Sequence, residues 1–141
     1  MFSVDVIHHV DDPSAYFREA HRVLEKGGKI CTVTDSEEII RHRQPLSVYF
    51  PETIELELQR YPRVVDLQAM MSQAGFLHLQ RIQAEFTYSL TDMQRYRDKA
   101  FSCLHLIAPE AFEHGLQRMG HDLRRGAIVA TPRYVLIWGV K

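Results

Sequence analysis

The feature that most constrains this chain is a strand–helix–strand pattern between Val4 and Thr34. Val4-Asp5-Val6-Ile7-His8-His9 reads as the end of a strand running into a loop. Asp12 is a good N-cap because its carboxylate accepts from a free amide of the first turn. Pro13 fits the first helical position, where a missing N–H costs nothing. Tyr16, Phe17, Ala20, Val23 and Leu24 then share one face at helical spacing. Gly27 takes the left-handed backbone that closes a helix, and Lys26 sits beside the carbonyl end, so the helix is predicted to stop there. Ile30-Cys31-Thr32-Val33 has little polar alternation, as expected of a strand covered on both faces in a parallel sheet. Strand, helix and strand within about 30 residues make one βαβ unit.

The chain is long enough to enclose a core around that unit: 141 residues, 45% of them hydrophobic, make one domain with a real interior. A net charge of −1 gives no general pull toward nucleic acid or an anionic membrane, so binding has to come from a site. No apolar run approaches the ~20 residues that span a bilayer, and no basic-then-apolar leader opens the chain. A cytoplasmic location is the expectation. Cys31, in a buried strand, and Cys103, in a predicted helix, do not form a disulfide framework, and reduced thiols are expected.

Further along, Ser36 is placed to cap a short helix with Glu37 and Glu38 in its first turn. Pro45, Pro51 and Pro62 punctuate the next stretch. Within it Ile54, Leu56 and Leu58 alternate like a strand, yet the residue types favour helix, which is the preferred reading. Asp66 is read as the cap of a helix carrying Leu67, Met70, Met71 and Ala74 and closed by Gly75. Residues 77–90 alternate as one strand through Ile82, Ala84, Phe86, Tyr88 and Leu90. Thr91 and Gln94 have capping-box spacing, and Met93, Tyr96, Ala100, Leu104 and Ile107 predict a helix of about 16 residues. Pro109 opens another, with Phe112, Leu116, Met119 and Leu123 on one face and Gly126 past its end. Tyr134 to Val140 reads as a central strand.

Two strings carry a family resemblance. His8-His9-Val10 with Pro13, followed by Arg22-Val23-Leu24 and Gly27-Gly28-Lys29-Ile30, resembles the fourth strand, fourth helix and fifth strand of S-adenosylmethionine-dependent methyltransferases with a Rossmann-like fold, in particular the small-molecule branch. Leu67 to Phe76, Leu-x-x-Met-Met-x-x-Ala-Gly-Phe, resembles that family's fifth helix leading to its sixth strand. The resemblance implies an α/β fold: a partial methyltransferase sheet of strands equivalent to the fourth to seventh, helices packed on it, and a helical insertion before an antiparallel last strand. It implies a single domain over 1–141, the C-terminal part of that fold. The family's glycine-rich turn lets backbone amides approach the cofactor closely. No Gly-x-Gly occurs in the chain, so the N-terminal cofactor half is expected to be missing and the chain inactive alone.

Ligands bind beyond the carboxyl ends of strands in open α/β sheets, which singles out His8, His9, Asp5 and Asp35. The resemblance implies that His8 and His9 wall the pocket for S-adenosylmethionine and a small-molecule methyl acceptor. His8 is the candidate acid or base, since imidazole titrates near neutrality. His9 and Asp5 are the candidate cofactor contacts, and Asp35 the candidate substrate contact. The plainer alternatives are that the histidine pair only fixes its loop and that Asp35 is solvated or caps near Ser36. Arg22 reads as a surface arginine paired with a carboxylate. The eight histidines lack His-x-x-x-His spacing, so no metal site is expected. Arg41-His42-Arg43 and Arg124-Arg125 lack interleaved aromatics and read as solvated faces, not a nucleic-acid footprint.

The second reading is a non-catalytic α/β domain. By the resemblance, the fourth strand would expose an unpaired edge, so a homodimer or pairing with another chain along the N-terminal strand is expected.

Overall fold

The computed structural model describes residues 1–141. The chain divides into two compact units: Met1–Glu37 with Arg60–Ala84 and Tyr134–Lys141, and Glu38–Gln59 with Glu85–Arg133.

The first unit holds a four-stranded sheet. Strands β1 (Phe2–Val4), β2 (Lys29–Thr34), β3 (Leu77–Glu85) and β6 (Arg133–Val140) are ordered β1-β2-β6-β3. β1 and β2 are parallel, with Val4 opposite Val33, and helix α1 (Pro13–Val23) connects them as the βαβ pattern requires. β6 runs antiparallel to β2 from Lys29↔Val140 to Thr34↔Val135, which bears out the antiparallel last strand. β2 is buried from Ile30 to Thr34. Asp12 caps α1 by accepting from the Ala15 amide at 2.9 Å. The helix ends at Val23, not at Gly27 as predicted, and Val23 is half exposed. Gly27, at φ +78°, instead turns the chain toward β2, and its amide donates to the Lys141 carbonyl at 2.8 Å. The Lys141 ammonium caps the helix end by donating to the Leu24 carbonyl at 2.7 Å.

Helix α5 (Val64–Gln73) packs beside α1. Asp66 does not cap it: the cap position belongs to Arg63, and Asp66, one turn in, accepts two bonds from that guanidinium at 2.8 and 2.9 Å. Gly75 follows at φ +100°, as a helix stop should. Phe17, Ile30, Leu67, Met71, Phe76 and Ile137 are fully buried and form the interior. Each such side chain contributes roughly 1.5–3 kcal/mol relative to exposure. Gly139 admits this packing, because a Cβ there would meet Leu79 at 2.9 Å and Met71 at 3.1 Å.

The second unit is mainly helical: α2 (Glu37–Arg41, from Glu38 on), α3 (Leu46–Tyr49), α4 (Thr53–Arg60), α6 (Gln94–Arg97) and α7 (Pro109–Arg125), with a two-stranded antiparallel ribbon of β4 (Tyr88–Leu90) and β5 (Ile128–Ala130). The helical reading of 53–60 holds. Its core gathers Leu46, Phe50, Leu90, Tyr96, Leu104, Phe112 and Met119, with the Phe50 ring stacked between Tyr96 and Phe112 at 6.0 and 5.9 Å.

Three expectations fail here. Residues 77–90 form two strands in different sheets, and β3 is almost wholly exposed, so its alternation covers nothing. The 16-residue helix is replaced by α6 and a 3-10 turn, Ser102–His105, because Lys99 at φ +49° and the extended Phe101 break the path between them. Arg43 is no solvated residue: it pairs at 2.9 Å with Glu57, whose side chain is only 3% exposed. No helix is long and apolar enough to cross a membrane.

Candidate functional site

The parallel pairing of β1 and β2 determines where polar side chains meet. Both strands end at the same sheet edge, β1 at Val4 and β2 at Thr34. Asp5 follows at φ +49°, a left-handed conformation that Asp tolerates better than most residues, and its amide donates to the Val33 carbonyl at 3.1 Å. That bond fixes the turn out of the strand. Asp35 follows β2 at the same edge, so the two carboxylate-bearing residues sit at adjacent strand ends. They differ in surroundings: Asp5 is exposed, whereas Asp35 is 7% exposed. Asp35 is therefore not a solvated loop residue.

The chain then forms a single 3-10 turn, Ile7–His9, anchored by Ile7 at 1% exposure. With Ile7 pointing into the core, His8 is half-buried and His9 exposed. Their rings touch, with centroids 4.0 Å apart. His8 also stacks on Tyr61, centroids 4.0 Å apart and planes within 16°. The turn thus presents an imidazole whose plane is fixed by an aromatic neighbour. Tyr61 escapes sequence reasoning, since it lies beyond α4 with no periodicity linking it to His8.

Thr34 was also missed. It is fully buried at the end of β2, and its hydroxyl has no hydrogen-bond partner in the chain. A buried hydroxyl left so is costly unless something else satisfies it. Cys31, on the same strand, has its thiol pushed up by burial, which disfavours the reactive thiolate. Arg22 is held by Glu19 through two bonds of 2.7 and 2.8 Å, as the plainer reading expected. No three His, Cys, Asp or Glu side chains lie close enough together to hold a metal ion.

In the second unit a shallow cavity of about 370 Å³ lies along α7, lined by His114, Gln117, Arg118, His121 and Asp122. Two of its charged groups are occupied structurally. Arg118 donates to the Val48 and Tyr49 carbonyls, and Asp122 accepts from the Tyr49 hydroxyl at 2.8 Å. It is lined by packing contacts, and the polar edge of the first unit is the better site.

Sheet order, strand directions and the polar carboxyl edge define a Rossmann-like α/β fold of the methyltransferase type. A family described as "Methyltransferase domain" matches residues 1–32, the span from β1 through α1 into β2. No curated protein matches the sequence significantly. Among solved structures, the chain is similar to a candidate methyltransferase from an antibiotic biosynthesis pathway of Anabaena variabilis ATCC 29413. The identity is 19% and the TM-score 0.65, over 98% of this chain and 64% of that one. A candidate methyltransferase of Bacillus halodurans C-125 is similar at 16% identity and a TM-score of 0.51, over 99% of this chain and 62% of that one. The chain therefore spans less than two thirds of the length of either, and the likeness establishes the fold.

Proposed function

We propose that this chain is the C-terminal part of an S-adenosylmethionine-dependent methyltransferase acting on a small molecule, and that it supplies one wall of the site. The observation that supports this reading is that Asp5 and Asp35 follow the carboxyl ends of two adjacent parallel strands, with His8 and His9 in the turn just after Asp5. The residues fit part of the cofactor. Two carboxylates accept from an ammonium or from ribose hydroxyls. The close-approach glycine turn is not among these residues, so cofactor affinity and activity of the chain alone are expected to be low. When bound, S-adenosylmethionine supplies an electrophilic methyl group on a sulfonium. Asp5 and His9 hold the cofactor side, and Asp35 orients the acceptor. His8, its plane held by Tyr61, takes the proton from the acceptor hydroxyl or amine.

The test is a ¹⁵N–¹H NMR titration with S-adenosylmethionine into the millimolar range. Shifts confined to residues 5–9, 34–36 and Tyr61 are expected. Shifts elsewhere, or none, would refute the assignment.

One observation favours a second reading, a non-catalytic domain that pairs along β1. The outer edge of β1 has no neighbouring strand, and Met1, Phe2, Val4 and Val6 are 47, 65, 44 and 45% exposed. A chain that pairs through β1 and leaves residues 34–36 unmoved by the cofactor supports it.

A further inference from the structure

The opposite end of the sheet carries an open edge that the proposed function does not use. β3 is the terminal strand in the order β1-β2-β6-β3. Of its nine residues only Leu79 is partly buried, and Leu77 and Ile82 are 61 and 50% exposed. Unpaired N–H and C=O groups along an edge template another strand, and proteins blunt such edges with proline, short strands or inward-pointing charges. β3 contains no proline and is longer than the common ~5–6 residues, and its one left-handed residue, His78 at φ +52°, lies near its start, outside the segment Arg81–Glu85.

The side chains on this edge say what it fits. We propose that β3 pairs antiparallel with β3 of a second copy about a two-fold axis through Gln83, forming one continuous sheet. The segment Arg81-Ile82-Gln83-Ala84-Glu85 complements itself when reversed. About Gln83, Arg81 of each copy stands directly opposite Glu85 of the other, and Ile82 opposite Ala84. Directly opposed residues lie on one face, where unlike charges attract and like charges repel. The neighbouring two-fold registers lack this match. About Arg81, two guanidiniums oppose each other. About Ile82, Arg81 meets Gln83 and Glu85 meets Leu79. About Ala84, Arg81 meets Thr87 and Glu85 meets Gln83. Glu85 is free enough to take part: its own-chain contact, to Arg133, is long at 3.9 Å, and its side chain is 52% exposed. The pairing is isologous and closes at two copies, with no edge of β3 left to extend it.

Two measurements test the proposal. Sedimentation velocity of the full chain is expected to show a concentration-dependent dimer. Arg81→Glu, which sets like charges opposite at two positions, is expected to raise its Kd about tenfold or more, and Arg81→Glu with Glu85→Arg to restore it. Gln83→Cys places two thiols across the axis, where the roughly 4.5–5.5 Å Cα separation of an antiparallel pair suits a disulfide. The native Cys31 and Cys103 are buried and do not compete. A reducible crosslink between the two introduced thiols, one from each copy, is expected on mild oxidation. A chain monomeric at every concentration, or a dimer indifferent to Arg81→Glu and crosslinked by Ser3→Cys on β1 instead, overturns the proposal.

Discussion

Replacing Gly115 by alanine tests the packing of the second unit against the ordinary behaviour of helices. Alanine in place of glycine inside a helix stabilises it by about 1 kcal/mol, because the backbone of glycine loses more freedom on folding. Gly115 lies buried on α7, where a methyl group would overlap the Phe50 ring and come within 2.7 Å of the Tyr49 carbonyl oxygen. Neither neighbour yields easily. Phe50 is 0% exposed and stacked between two other rings, and the carbonyl is backbone. Overpacking of such a site costs about 1–3 kcal/mol, here at or beyond the upper end. The net expectation is destabilisation by about 2 kcal/mol, a fall in Tm of roughly 5–10 °C. Gly120→Ala is the internal control. A methyl there meets the flexible end of Met93 at 3.1 Å, so the propensity gain survives and stability is unchanged or slightly higher. Thermal unfolding followed by far-UV circular dichroism reads both variants. A Gly115→Ala chain as stable as the parent would refute the close contact between α7 and α3.

Two further outcomes follow from single contacts. Asp12→Ala removes the cap on the Ala15 amide and is expected to cost about 1 kcal/mol, read by urea unfolding. Burial and the Asp122 carboxylate push the Tyr49 hydroxyl from its ordinary 10 up to about 12. Below pH 10 the group is protonated folded or unfolded, and its contribution is complete. Between pH 10 and 12 only the unfolded chain ionises, so stability falls as pH rises. Tyr49→Phe is expected to lessen that alkaline loss, leaving the part due to Tyr96, which burial also pushes up. Unfolding measured stepwise from pH 9 to 12 checks this; an unchanged slope would remove Tyr49 as its source.

The βαβ unit was legible because the signals for its helix start and its second strand agreed, although α1 ends at Val23, short of the predicted stop. Asp12 and Pro13 mark a start that nothing contradicts, and the apolar run of β2 has one explanation, burial on both faces. The failures come from reading periodicity as burial. Ile82 and Ala84 alternate like a covered strand, but alternation says only which residues share a face, not whether another layer lies over it. Met93 to Ile107 fails differently. Tyr96, Leu104 and Ile107 are all buried as the helical stripe requires, yet a bend at Lys99 delivers them to one core from two short turns. A stripe of apolar residues constrains where side chains end up more tightly than the backbone path that takes them there.

The site follows the same logic at longer range. Asp5 and Asp35 were legible as neighbours because parallel strands joined by one helix put their carboxyl ends together, whatever the intervening sequence. Tyr61 was not, since its stacking on His8 joins residues far apart in the sequence with no pattern linking them, which is a tertiary fact. The consequence is chemical as well as structural. An imidazole in a short 3-10 turn has little backbone to fix it, and a proton acceptor is useful only in one plane relative to the group it serves. If His8 takes the proton as proposed, its stack on the Tyr61 ring is what holds that plane, and the buried Ile7 next to it in the chain anchors the turn.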